Sequence, residues 1–232
     1  MCQPVVQENR FVALTSSTQS NVEDSIAMVY IDITPSARVD IALAYALCPV
    51  EISGIGEVEN TGNSYRISEV ILFPQECYLE HTTFDREAFG RYAHNLNQKR
   101  VTTRSPSGMN TKRLWWHSHV WGKARFSSID IDYIEQFGAD TLLPFNPYLI
   151  SIVGNKQGHL TTCLTIFKPE RTWECVRELP LSDASFTRAM LYDLYRERMP
   201  RMHKLISDMV TIKPLPLYKK VERDKLSSRE KK

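Results

Sequence analysis

The sequence predicts an α/β fold, a mixed β-sheet flanked by helices with a helical C-terminal extension. Three observations lead there. Short β-branched runs alternate along the chain with stretches whose apolar residues recur at helical spacing. The composition, 42% hydrophobic and 24% charged over 232 residues, suits one good-sized globular domain with its own core. No internal repeat is visible, and no stretch approaches the ~18 consecutive apolar residues of a membrane helix.

Residues 1–25 are rich in Ser, Thr, Asn and Gln and read as a flexible lead-in. Ile26–Ile33 reads as a strand. Thr34 and Pro35 then supply a helix N-cap and a first-position proline. Val39, Ala42, Leu43, Ala46 and Leu47 continue that helix until Pro49 stops it. Glu51–Glu59 and Tyr65–Phe73 form a hairpin about a Gly62-Asn63 turn. A helix from about Phe84 to Arg100 opens with a Thr82…Asp85 capping pair and carries an Ala88, Tyr92, Leu96 stripe. Val101–Lys112 is a polar loop, Arg113–Val120 a strand and Ser128–Phe137 a short helix. Tyr148–Val153 and Leu160–Phe167 close the sheet. Beyond Pro180, Phe186, Met190 and Leu194, then Met202, Leu205, Ile206 and Met209, make a helical pattern that Pro200 should kink or break. The divisions expected are a domain at 26–178, a helical extension at 179–218 and a disordered basic tail at 219–232.

The formal charge is +2, so no global basic field points to nucleic acid. Residues 219–232 carry seven Lys/Arg against three acids, and the rest of the chain is slightly acidic. That tail reads as a solvated end, with an acidic partner as the alternative. The five cysteines are odd in number and scattered, with no Cys-x-x-Cys, so neither a thiolate zinc knuckle nor a disulfide framework is signalled. No signal segment or membrane span is visible, and a cytoplasmic setting is the expectation. The helices after 182 could pack on the core or on a partner subunit, with packing inside the chain expected.

The chemistry concentrates in Trp115–Asp130. Side chains alternate along a strand, so His117 and His119 project from one face and Ser118 from the other. Two imidazoles so placed can bind one metal. A catalytic zinc keeps three protein ligands and one open position, and Asp130, in the first turn of the next helix, is the candidate third ligand. Zinc would bring its water's pKa to around 7. The plainer reading makes Ser127-x-x-Asp130 a capping box; an acid there can cap and ligate together. Trp115 shares the histidine face and either walls the pocket or fills the core. Trp121, in the following loop, is a candidate substrate contact. His-Glu-x-x-His, the deaminase His-x-Glu with Pro-Cys-x-x-Cys, Gly-x-Ser-x-Gly and Walker A patterns are all absent.

With Glu51 at the head of the second strand, the string His117-Ser118-His119, seven residues, Ser127, two residues, Asp130 resembles the JAMM/MPN+ metalloprotease signature. The resemblance covers roughly residues 27–168 and implies the family's cytidine-deaminase-like architecture. It implies zinc on His117, His119 and Asp130, Glu51 as general base, and Ser127 as a donor to the oxyanion. Val120 stands where the family has proline, which implies altered loop geometry. The activity implied is hydrolysis of an amide at the C-terminus of ubiquitin or a ubiquitin-like protein, whose tail would lie extended beside the histidine strand. Residues 101–112 and 138–147 would help hold that partner. The alternatives within the resemblance are a DNA-repair-associated JAB-type protein and a non-catalytic MPN interaction module.

Overall fold

The structure is a computed structural model that describes residues 30–61, 64–103, 108–139, 148–167, 173–176 and 187–213. The lead-in at 1–25, residues 26–29 of the first strand, the Gly62-Asn63 turn, loop residues 104–107 and 140–147, and the basic tail lie outside them.

The fold is α/β. β1 (Tyr30–Ile33), β2 (Ser53–Asn60), β3 (Ser64–Ile71), β6 (Lys112–His119), β7 (Tyr148–Asn155), β8 (Leu160–Phe167) and β9 (Trp173–Val176) form one mixed sheet in the order β1-β3-β2-β6-β7-β8-β9. β1 with β3 and β6 with β7 are parallel; the other neighbours are antiparallel. β4 (Gln75–Cys77) lies between β10 (Val210–Ile212) and β5 (Thr82–Phe84) in a second, three-stranded sheet. Sequence reading missed β4, β5, β9 and β10. At three or four residues, none is long enough to show a period.

α1 (Pro35–Leu47) starts where expected, with the Thr34 hydroxyl accepting from the Ala37 N–H at 3.3 Å. Its buried set differs from the expected stripe. Ala42 and Ala46 are exposed, while Ala37, Ile41, Ala44 and Tyr45 join Val39 and Leu43 in the core. The helix is covered from two sides, by the sheet and by α4 (Arg188–Met209), so a one-stripe reading could not place its faces. α4 runs on through Pro200, so the helix does not break there. Met202 is buried in the main core, and Arg198 donates to Asp40 on α1 at 2.6 Å. The face offered by the C-terminal helix is thus used within the chain.

α2 (Arg86–Thr103) and α3 (Ser128–Ala139) lie on the other face of the sheet. The expected Thr82…Asp85 capping box is not made. Asp85 alone caps α2, accepting from Glu87 and Ala88 N–H at 2.9 and 3.0 Å, because Thr82 is drawn into β5 and its hydroxyl meets that of Ser53 at 2.6 Å. Phe73 stacks edge-on with Phe84, Phe89 and Tyr92 and fixes α2 against the sheet edge. Among the described residues no helix is long and apolar enough to cross a membrane.

Two cores result. The larger, between the sheet and α1/α4, holds Trp116 and Ile152; the smaller, under α3, holds Trp115, Ile134 and Leu149. Gly54 lets β2 carry Trp116 on its neighbour β6. A Cβ at Gly54 would overlap the indole and the Ile71 carbonyl. Gly54→Ala should therefore destabilise the protein by about 1–3 kcal/mol through overpacking, read as a lower urea midpoint at unchanged slope.

Candidate metal centre

β6 places the site by simple alternation. Trp116 and Ser118 face the larger core, and His117 and His119 face the cleft. Ser118 has a job there: its hydroxyl accepts from the Ile52 N–H at 3.0 Å, while its own N–H donates to the Ile52 carbonyl at 2.9 Å. Ser53 pairs with His117, and continuing that antiparallel register by two residues sets Glu51 opposite His119. Glu51 lies just before β2 rather than inside it, and its N–H donates to the Tyr78 carbonyl at 3.1 Å.

Asp130 arrives from α3. Ser127 and Asp130 make the full capping box: Ser127 N–H and hydroxyl both donate to Asp130 Oδ2 at 2.7 Å, and Asp130 N–H donates back to Ser127 Oγ at 3.2 Å. The plain reading and the ligand reading thus hold together, because the carboxylate that caps the helix also faces the imidazoles. The Ser127 proton is committed to Asp130 in this arrangement.

The three side chains converge. His117 Nε2 and His119 Nε2 are 3.2 Å apart, His117 Nε2 is 3.2 Å from Asp130 Oδ1, and His119 Nε2 is 3.4 Å from Asp130 Oδ2. Ligands ~2.0–2.1 Å from one tetrahedral ion are themselves about 3.3–3.4 Å apart, so the two imidazole nitrogens, and each of them with its nearer Asp130 oxygen, stand at the spacing of ligands sharing such an ion. Among the described residues these three form the one group of His, Cys, Asp and Glu able to hold a metal ion. His119 Nδ1 meets the Lys123 carbonyl at 3.3 Å, which favours a proton there and leaves Nε2 free to ligate. His117 is stacked on Trp115, with ring centres 4.5 Å apart, and its buried Nδ1 has no hydrogen-bond partner. Trp115 therefore does both things expected of it, filling the small core and walling the site.

Charge is balanced tightly here. Burial would raise the Asp130 carboxyl, but hydrogen bonds from His117, His119 and the Ser127 N–H outweigh it and hold that carboxyl well below the usual range. Burial pushes His117 down, whereas the hydrogen bond to Asp130 raises His119. Burial lifts Glu51 to about 7, opposed by His119 and reinforced by Asp130 and Glu80.

Glu51, His117, His119, Ser127 and Asp130 share a cleft of about 680 Å3 that follows β6 between β5 and α2 on one side and α3 on the other. The apolar walls come from Phe84, Phe89, Ala93, Ile129 and Tyr133, which sequence reading did not single out. Phe84 stands on the missed β5 and Phe89 and Ala93 on α2, whereas Ile129 and Tyr133 stand on α3 beside Asp130. Trp121 is not brought into this cleft; it lines a separate hollow beyond His119. Val120 is buried, so the apolar side chain fills the place without entering the site.

No family model matches the chain, and no curated protein matches it. The chemistry has to be read from the side chains.

The titrations carry a test. A base whose pKa is raised by folding, as at His119, adds stability below its ordinary 6.5 that is lost as pH rises through the folded value. Glu51 works in the same sense: between its ordinary 4.5 and about 7 the folded state holds a proton that the unfolded chain has released, so stability falls with rising pH. His117 acts oppositely, but only below 6.5. The metal-free protein should therefore lose thermal stability as pH rises above 6.5, whereas added zinc should stabilise it more strongly at the higher pH, because ligation needs neutral imidazoles. Parallel melting curves with chelator and with zinc would contradict this.

Proposed function

We propose that the chain is a zinc-dependent metallopeptidase of the JAMM/MPN type, cleaving an amide bond at the C-terminus of ubiquitin or a ubiquitin-like protein. One observation carries the reading: the His117, His119 and Asp130 ligand atoms lie at zinc-ligand spacing, and Glu51, from the segment just before β2, opens on the same cleft. A merely structural metal site needs no such second carboxylate beside its ligands. The α/β sheet with helices on both faces supports the JAMM/MPN architecture.

Zinc held on His117, His119 and Asp130 would supply Lewis acidity toward the amide carbonyl and bring the pKa of water to around 7. Glu51 does the proton work. Its carboxylate takes a proton from the attacking water and delivers it to the leaving amine nitrogen, so one water is consumed and an acid and an amine are released. Burial favours this role by lifting Glu51 into the range where it can both accept and give a proton. Ser127 first orients Asp130; to donate to the oxyanion, its hydroxyl has to rotate away from Asp130 Oδ2.

The cleft shape supports a chain-like substrate. It follows β6 from Lys112 to His119. At ~3.3 Å per residue those seven steps span about 23 Å, room for about seven extended residues. Its walls are mainly apolar, suited to a ubiquitin-like tail lying in extended form.

Glu51→Gln should lower kcat on ubiquitin-like fusions by about 10²–10⁴-fold while one zinc per chain is retained. His117→Ala should lose both zinc and activity. Full activity in the Glu51→Gln protein, or no zinc after purification with metal supplied, would remove the basis of the reading.

A further inference from the structure

Past His119 the chain turns through residues 120–127, and this loop is firmly tied. His119 Nδ1 meets the Lys123 carbonyl at 3.3 Å, the Asn155 amide donates to the Gly122 carbonyl at 3.2 Å, and the Thr161 hydroxyl donates to the Ala124 carbonyl. Asn155 is 3% exposed, and its Oδ1 also accepts from Gln157 and His159 N–H, both at 3.1 Å. One buried amide therefore joins the two rims of a hollow of about 470 Å3, one rim from 121–125 and the other from 155–159. With the loop carbonyls turned inward, Trp121, Lys123 and Arg125 are left exposed, and Trp121 is 81% so. His159 faces them across the hollow, and none of the described residues lining it is a carboxylate.

We propose that this hollow is a second substrate subsite, taking an acidic polypeptide segment that lies beyond the bond to be cut. The inference rests on the hydrolase reading for the path of the substrate. His119 belongs to both places: its Nε2 faces Asp130 in the cleft, and its Nδ1 holds the loop that makes the hollow. A polypeptide lying along β6 and continuing past His119 meets the hollow next. Lys123 and Arg125 without a carboxylate among them match acidic side chains. Trp121 and Arg125, which both line the hollow, are of residue types enriched among the anchors of protein interfaces. Rims fixed by Asn155 before binding reduce the ordering cost. The same indole and cations suit stacking of single-stranded nucleic acid, but the hollow's place next to His119, where the cleft ends, favours polypeptide.

The test uses full-length protein and fluorescence anisotropy with a labelled Glu/Tyr peptide, its Gln/Tyr counterpart and an oligothymidylate of equal charge. The acidic peptide should bind more tightly than the other two. Its affinity should fall about tenfold in Lys123→Glu/Arg125→Glu and in Trp121→Ala. No binding, equal affinity for both peptides, tighter oligothymidylate binding, or undiminished affinity in both variants would overturn the proposal. On ubiquitin-like fusions, acidic residues beyond the scissile bond should raise kcat/KM in the wild type and not in the double charge reversal; a wild type indifferent to them overturns the subsite. If nothing is cleaved while selective acidic-peptide binding persists, the hydrolase reading has failed and, with it, the role as a substrate subsite.

Discussion

The pairing of Ser118 with Ile52 is the contact on which the site depends. Ser118 lies between the two histidines and points away from them, yet its hydroxyl and its N–H grip both backbone groups of Ile52. This sets the register of β2 against β6, and the register brings Glu51 level with His119. A slip of one residue would turn Glu51 toward the core and away from the imidazoles. Trp116 guards against such a slip: its indole fills the core beside Gly54, and its Nε1 donates to the Ile55 carbonyl at 3.0 Å. Core packing and site geometry are thus two faces of one strand.

Around that strand the protein gathers ionisable groups in a partly buried setting. Two imidazoles and two carboxylates face a mainly apolar cleft, and their titrations move in opposite directions. Without a cation, the arrangement is stabilised chiefly by hydrogen bonds to Asp130. The capping box helps by holding Asp130 through two donors on Ser127, so the carboxylate is oriented before any metal arrives. A site of this kind is preorganised at some cost to the metal-free fold.

Much of this was legible in the sequence, and the reason is local periodicity. His117, His119 and Ser118 follow from strand alternation alone, and the Thr34–Pro35 helix start and Ser127–Asp130 cap follow from side chains that satisfy nearby backbone N–H groups. Apart from strands too short to show a period, the failures are non-local. α1 was assigned one buried stripe although α4, more than a hundred residues away in sequence, covers its second side. Thr82 was read as a helix cap because its partner, Ser53, lies on a distant strand. β4 and β10 exist through pairing with each other, which no window along the chain can display. Trp121 was read as a candidate substrate contact, but its loop is turned outward by Asn155 and Thr161, so it lines a hollow of its own outside the cleft.

A crystal structure of the zinc-loaded protein, with anomalous data collected at the zinc edge, tests the central claim most directly. The account predicts a single strong peak within about 2.0–2.2 Å of His117 Nε2, His119 Nε2 and an Asp130 oxygen, with the Glu51 carboxylate facing the ion's open side. A peak elsewhere, or Glu51 turned away from an ion bound at the triad, would contradict it.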